Sequence, residues 1–177
     1  MDAALAPGLT DYALTLAASG VPVFPCDADK KPLPGTRGFK DASAEPGVVR
    51  AMFAQTGAAL IGMPTGAVSG VVVVDVDMGQ GAQGAAWLDA NTERLPQTRT
   101  IRTRSGGLHL YYVAPLDDVV RNQQSKIAPN IDVRGAGGYV IVPPSEGYSV
   151  ADNAAPAAIP EWLLPVLVPP PVRTYAP

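Results

Sequence analysis

The sequence is poor in cysteine and histidine, with one of each, Cys26 and His109, among 177 residues. A single cysteine excludes an intramolecular disulfide, and one cysteine with one histidine is too few for a zinc site built from these residues. We therefore expect a reducing, cytoplasmic setting and a buried, structural role for the Cys26 thiol.

Charge and aromatic side chains are also scarce, at 16% and 6% of the residues, and the net charge is −3. An acidic chain is unsuited to coating DNA nonspecifically, although a nucleic-acid enzyme stays compatible with this composition. At 47% hydrophobic residues the chain is too apolar for disorder, and no apolar run approaches the roughly 20 residues that cross a bilayer. We expect no signal peptide, since the first ten residues contain neither lysine nor arginine.

The sequence does contain a run of valines that ends in two carboxylates. Residues 71–74 are all valine, and Asp75 and Asp77 follow on either side of Val76. β-branched residues favour a strand, and the unbroken apolar run predicts burial on both of its faces. Because strand side chains alternate, the two aspartates share one face, with Cα atoms about 6.5 Å apart. Two adjacent negative charges need a cation between them, so the pair predicts a site for Mg²⁺ or Mn²⁺.

Apolar periodicity and turn residues predict the elements around this strand. Helices are expected over residues 11–19, 44–55, 85–93 and 159–168, and strands over residues 21–24, 58–63, 98–102, 108–113, 130–134 and 139–143. Residues 25–43 and 117–129 are predicted to be loops. Residues 1–168 are expected to form one domain, and the proline-rich residues 169–177 to be a linker into a longer chain.

A second motif, over residues 104–109, is rich in hydrogen-bond donors. The Gly106 and Gly107 turn offers backbone N–H groups, and Arg104 and Ser105 add side-chain donors, so the motif predicts a cradle for phosphate oxygens. His109 follows in the next predicted strand. Its position after this turn favours a functional role over that of a buried structural histidine.

A third motif is an acid isolated in an apolar strand. Asp132 lies between Ile131 and Val133 and is followed by glycines. By itself such an acid indicates only a cap or an arginine partner. Together with Asp75 and Asp77, it would complete a three-carboxylate site for two divalent ions, one to activate an attacking hydroxyl and one to stabilise a leaving pyrophosphate.

A glycine pattern, G-x-G-x-x-G over residues 79–84, also follows the valine strand. We do not interpret it as a dinucleotide fingerprint, because the adjacent aspartates would repel a pyrophosphate in the absence of metal. The acidic residue expected about 20 residues later, on a second parallel strand, is missing as well.

The order of the three motifs resembles that of the archaeo-eukaryotic primase superfamily. A hydrophobic-D-x-D motif, an S-G-G-x-H motif and a hydrophobic-D motif follow an N-terminal helix, a strand and a Lys-Pro loop. The likeness spans about residues 12–149 and is greatest to the bifunctional primase-polymerase domains of plasmid and phage replication proteins. It implies an α+β fold in which an RRM-like antiparallel or mixed sheet forms the catalytic core and packs on a second, small α/β module.

The resemblance also implies a DNA primase and DNA polymerase activity, that is, template-directed nucleotidyl transfer with two Mg²⁺ or Mn²⁺ ions. Its substrates would be NTPs or dNTPs and a single-stranded DNA template. By resemblance, Asp75, Asp77 and Asp132 are the catalytic metal ligands, and Ser105 and His109 contact the nucleotide phosphates. Charge and position add further nucleotide-binding candidates: Lys31, Arg104, Gly106 and Gly107.

Some relatives contain a zinc-binding element that this chain has too few cysteines and histidines to build. We therefore expect a C-terminal helicase or accessory domain in a longer chain, joined through the proline-rich end. No association with a membrane is expected.

Two other functions remain open at this point. A metal-dependent nucleotide-sugar transferase would use Asp75 and Asp77 to hold a diphosphate, but it leaves Asp132 and the 104–109 motif without a role. A noncatalytic single-strand-binding module usually presents stacked aromatic side chains and positive charge, which this acidic, aromatic-poor chain lacks.

Overall fold

The structure is a computed structural model that describes residues 8–79, 81, 83–116 and 119–168. Its helices are α1 (Leu9–Ala18), α2 (Pro46–Phe53), α3 (Gly84–Asn91) and α4 (Leu164–Leu167). Its strands are β1 (Phe24–Cys26), β2 (Leu60–Pro64), β3 (Val71–Val76), β4 (Thr100–Arg102), β5 (Leu108–Val113), β6 (Gln123–Ala128), β7 (Ile131–Arg134), β8 (Tyr139–Ile141) and β9 (Ser149–Asp152). Two short 3₁₀ helices cover Gly38–Asp41 and Thr92–Arg94.

The strands form two antiparallel sheets. The larger has six strands in the order β6-β7-β3-β5-β4-β9, and the smaller has three in the order β1-β2-β8. The valine strand β3 lies in the middle of the larger sheet, paired with β5 on one side and with β7 on the other. Helices and antiparallel sheets in one chain confirm the predicted α+β class.

The predicted burial of β3 on both faces is confirmed. Val72, Val74 and Val76 belong to a core that includes side chains of α3 and α4. Val73, on the opposite face, belongs to a second core with the three-stranded sheet, α1 and α2. Each face of the larger sheet is therefore covered, and β3 is held firmly up to its last residues.

Cys26 lies in the second core and is fully buried. Burial, and to a smaller extent the neighbouring Asp27, raises the pKa of its thiol to about 12. Room for the sulfur is provided by Gly62, where a Cβ atom would lie 3.0 Å from Sγ and 2.6 Å from the Phe24 ring. The predicted structural role of Cys26 is consistent with this packing.

The sequence predictions for strands and loops differ from the structure in three places. The segment 117–129, predicted to be a loop, contains β6, and β9 was not predicted. β6 is an edge strand of polar composition whose pairing with β7 shifts register, so it lacks the alternation that identifies a half-buried strand. The strand expected over residues 21–24 begins at Phe24 instead and runs to Cys26.

The other predicted helices and strands are present; β5 has the predicted bounds, and the rest have shorter or shifted ends. The predicted loop 25–43 also contains the last two residues of β1 and the first 3₁₀ helix. The C-terminal helix shrinks to α4, which has a proline in its first turn. The proposed linker, residues 169–177, lies outside the described residues, as do Asp117 and Asp118 of the predicted loop. None of the helices in the described part of the chain has the length and apolar character needed to cross a membrane.

Candidate active site

Three polar side chains lie in a row across the central strands of the larger sheet. Asp75 of β3 is paired with Asp132 of β7 on one side and with His109 of β5 on the other. Directly paired residues present their side chains on the same face of a sheet. The register therefore brings the carboxylates of the first and third motifs and the histidine together, at the end of β3 beyond the second core.

Arg134 lies between the two carboxylates. Its Nη2 donates to Oδ2 of Asp75 at 3.2 Å and to Oδ2 of Asp132 at 3.1 Å. The guanidinium offsets the repulsion that two adjacent acids would otherwise experience. None of the three sequence motifs includes Arg134, although its position two residues after Asp132 in a predicted strand places both on one face.

Asp132 has a second partner in the edge strand β6. The Ser125 N–H donates to its Oδ1 at 3.0 Å. Ser125 has a φ of 51°, which is uncommon for a residue other than glycine, and it lies within the irregular part of the β6 pairing. The local irregularity of β6 thus turns a backbone donor towards Asp132 and fixes the orientation of its carboxylate.

Asp77 follows the end of β3 and is exposed. Its N–H donates to the Asn130 carbonyl at 3.0 Å, and its Oδ1 accepts from the Gly79 N–H at 2.9 Å. A Cβ on Gly84 would lie 2.0 Å from the Asp77 carbonyl oxygen, so the last glycine of the G-x-G-x-x-G pattern allows α3 to start against this turn.

The three predicted metal ligands do not form a closed cluster. Within residues 8–79, 81, 83–116 and 119–168, no group of three or more acidic, histidine or cysteine side chains is close enough to hold a metal ion. Asp75 and Asp132 converge on Arg134, while Asp77 lines the same cleft from the side. The arrangement provides two convergent carboxylates and a third nearby.

Two adjoining clefts meet at these side chains. The first has a volume of about 330 Å³, and its lining includes Thr103, His109, Asn122, Gly138, Tyr139 and Tyr148. The second has a volume of about 280 Å³, and its lining includes Asp77, Gly107, Gln124, Ser125, Asn130 and Asp132. Both are lined by Lys30, Asp75, Ser105 and Arg134. The acids and the basic side chains therefore stand where the two clefts join.

The turn before β5 presents Ser105 to both clefts. Gly106 has a φ of 86° and donates its N–H to the Thr103 carbonyl, so this donor is used within the turn and is not free for a phosphate as predicted. A Cβ on Gly107 would lie 2.6 Å from the Val76 carbonyl oxygen. The two glycines thus shape the turn and let it approach β3, while the Ser105 hydroxyl lies 3.1 Å from that of Thr103.

His109 is buried, with 6% of its surface exposed, and lines the first cleft. Burial lowers the pKa of its imidazole; Asp75 opposes this effect, and Arg134 and Lys30 add to it. Nε2 lies 3.5 Å from Oδ1 of Asp75, longer than a normal hydrogen bond. Nδ1 is buried and has no hydrogen-bond partner among the described residues. A histidine that lines a cleft and has a polar nitrogen without a partner is a candidate ligand-binding residue.

The basic residues occupy other places than those predicted. Lys31 is exposed and lines neither cleft, whereas its neighbour Lys30 lines both. The Tyr139 hydroxyl donates to the Lys30 carbonyl at 3.0 Å and ties that loop to β8. Arg104 donates from Nη1 to the Ala28 carbonyl at 2.8 Å and, more weakly, from Nε and Nη2 to the Glu146 carbonyl at 3.4 Å. Arg104 therefore braces two loops beside the site.

One family model matches most of the chain. The model of the family described as bifunctional DNA primase/polymerase, N-terminal, matches residues 13–162, which include every residue named above as lining either cleft. No curated protein matches the chain. Membership of this family implies nucleotidyltransferase activity, nucleotide and nucleic-acid substrates and a general dependence on metal. With most of its length covered by the match, the chain belongs to the family of N-terminal bifunctional DNA primase/polymerase domains.

Proposed function

We propose that this chain is a DNA primase/polymerase catalytic domain that joins nucleotides on a single-stranded DNA template by two-metal nucleotidyl transfer. The observation that carries the proposal is the row of Asp132, Asp75 and His109 at the junction of two clefts. A nucleotide-sugar transferase would leave Asp132 and His109 unused, and a noncatalytic binding module would have no use for the convergent acids.

The donor set fits a divalent metal. Oδ2 of Asp75 and Oδ2 of Asp132 both lie within 3.2 Å of one Arg134 nitrogen, so they converge on a single point. Carboxylate oxygens are the ligands that Mg²⁺ and Mn²⁺ prefer. Asp75 and Asp132 would hold the first ion, and Asp77, on the wall of the same cleft, would help to hold the second. When bound, such ions activate a hydroxyl nucleophile and neutralise the charge of a leaving pyrophosphate.

The first cleft is suited to the incoming nucleotide. Its volume of about 330 Å³ lies within the range of small-molecule pockets. Ser105, His109, Lys30 and Arg134 all line it, and together they supply hydroxyl, imidazole and cationic groups. Such donors bind and orient phosphate oxygens and thereby keep the triphosphate beside the acids. The second cleft, on the side of Asp77 and Asp132, is left for the chain end that supplies the hydroxyl.

The resemblance supports finer proposals about architecture and context. The six-stranded sheet with α3 and α4 would be the RRM-like core, and the three-stranded sheet with α1 and α2 the second module. Residues 1–168 would form the catalytic domain and residues 169–177 a linker to a helicase or accessory domain. We place the activity in the cytoplasmic replication of a plasmid, phage or similar mobile element.

The test is primer-free synthesis on single-stranded DNA with Mg²⁺ or Mn²⁺, in which NTPs are compared with dNTPs. We expect product from the unaltered chain and none from Asp132→Ala. Asp89→Ala removes an exposed acid of α3 and serves as the matched control, with activity equal to that of the unaltered chain. Full activity of Asp132→Ala would contradict the three-carboxylate site, and absence of product from the unaltered chain, with or without a supplied primer, would contradict the function.

A further inference from the structure

The bridge that Arg134 makes between the acids is weakly held. One terminal nitrogen serves both carboxylates, whereas an arginine bound in the strongest way uses two nitrogens on one carboxylate. The Arg134 side chain is 37% exposed, and those of Asp75 and Asp132 are 25% and 21% exposed. A single shared nitrogen in a partly exposed cleft leaves the guanidinium open to displacement by a cation that binds the carboxylates more closely.

A metal and the guanidinium compete for the same place. Mg²⁺ binds carboxylate oxygens at about 2.0–2.1 Å, closer than the 3.1 and 3.2 Å of the nitrogen, and two cations cannot share the space between two oxygens. The other oxygens face elsewhere, since Oδ1 of Asp132 accepts from Ser125 and Oδ1 of Asp75 faces His109. The convergent Oδ2 atoms thus bind either Arg134 or a metal.

The Arg134 guanidinium also has a second possible position, in the first cleft. Its side chain lines the first cleft together with Lys30, Ser105 and His109, the donors we assign to the nucleotide phosphates. A guanidinium released from the acids is a strong, geometrically matched ligand for phosphate oxygens. The same short side chain movement therefore opens the metal site and adds a cation to the nucleotide site.

We propose that Arg134 is an exchangeable counter-cation: it holds Asp75 and Asp132 together in the metal-free chain, and a divalent metal displaces it towards the phosphates of the bound nucleotide. This inference rests on the proposed function. It makes the two ligands cooperative, because metal binding frees the guanidinium for the nucleotide, and a nucleotide that holds the guanidinium leaves the acids to the metal. By reciprocity, each ligand raises the affinity of the other by the same factor.

The first test is Mn²⁺ binding without nucleotide, followed by paramagnetic resonance. Arg134→Gln removes the competing cation, and we expect it to bind Mn²⁺ about tenfold more tightly than the unaltered chain. Arg37→Gln is the matched control, since Arg37 pairs with Asp41 and lines neither cleft at the acids. In calorimetry, the gain in nucleotide affinity caused by saturating Mn²⁺ should be about tenfold smaller in Arg134→Gln than in the unaltered chain.

A second measurement uses the unaltered chain and so does not depend on the folding of the variant. In ¹⁵N NMR spectra of the arginine side chains, Mg²⁺ should shift the Arg134 signal and leave the Arg37 signal in place. Mn²⁺ binding by Arg134→Gln that is no tighter than that of the unaltered chain, or an Arg134 signal unmoved by saturating Mg²⁺, would overturn the exchange. If the unaltered chain still incorporates nucleotides, the proposed function stands without the exchange of Arg134 for a metal. If the unaltered chain neither binds Mn²⁺ nor makes product, both proposals fall.

Discussion

The two faces of the central strand β3 carry different side chains. Val72, Val74 and Val76 on one face are all buried in a uniformly apolar core. The other face begins with the half-buried Val71 and the buried Val73 and continues with the partly exposed Asp75. Since strand side chains alternate, a slip of one residue would place Asp75 in the apolar core. The apolar face therefore fixes the register that aligns Asp75 with its partners on β5 and β7.

Substitutions on the two faces of β3 should therefore have separable effects on activity and on stability. Substitutions of Asp75 or Asp132 should change the chemistry and leave the fold stable, because those side chains are partly exposed. Substitutions in the apolar core should lower the free energy of unfolding and affect the chemistry only through the loss of folded chain.

The largest effect on nucleotide incorporation is expected for Asp75→Asn, which keeps the shape of the side chain and removes its charge. Loss of a metal ligand forfeits several kcal/mol of transition-state stabilisation, so incorporation should fall at least about a thousandfold. The midpoint of thermal unfolding should stay close to that of the unaltered chain. A parallel loss of activity and of folded structure would show that Asp75 acts through the fold and would break the distinction between the faces.

On the apolar side, Ile131→Ala should lower stability by about 2–5 kcal/mol. Ile131 is fully buried, pairs with Val76 and precedes Asp132, so it is a neighbour of the site without being part of it. Ile127→Ala, in the edge strand β6, is the control and should cost less because Ile127 is only partly buried. Urea unfolding measures both. Equal losses for the two variants would argue against the packing described for β7.

His109→Ala should raise the KM for nucleotide by about ten- to a hundredfold and change kcat less, since one hydrogen bond to a charged group contributes about 1.5–3 kcal/mol. Steady-state incorporation at varied nucleotide concentration gives both constants. A KM equal to that of the unaltered chain would argue against contact between His109 and the phosphates.

The smallest effects on the KM for nucleotide are expected at two adjacent lysines. Lys30→Ala removes a cation that lines both clefts and should raise the KM for nucleotide severalfold. Lys31→Ala removes an exposed cation outside them and should change KM less than about twofold. The opposite order would favour the assignment based on sequence alone.

Much of the fold was predictable because its signal is local. The valine strand, the strand around His109 and the helices show apolar periodicity or β-branched runs that need no knowledge of their partners. β6 and β9 were not found because edge strands pair along one side and tolerate polar residues, as the exposed Ser149 and Lys126 illustrate.

The site was predictable only in part, for a related reason. The carboxylate and Ser-Gly-Gly-x-His motifs are local, but the partners of Asp75 depend on strand register, which the sequence does not state. The role of Arg134 emerges only when β7 pairs with β3. Similarly, adjacent lysines look alike in a loop, and only the folded loop shows that Lys30 faces the clefts.

The central claim is that Asp75 and Asp132 hold a metal beside a nucleotide in the first cleft. Its most direct test is a crystal structure with Mn²⁺ and a non-hydrolysable nucleoside triphosphate, using the anomalous scattering of manganese. We predict a manganese peak between Oδ2 of Asp75 and Oδ2 of Asp132, a triphosphate in the first cleft against Ser105 and His109, and no guanidinium between the acids. Manganese bound away from Asp75 and Asp132, or a nucleotide outside the first cleft, would contradict it.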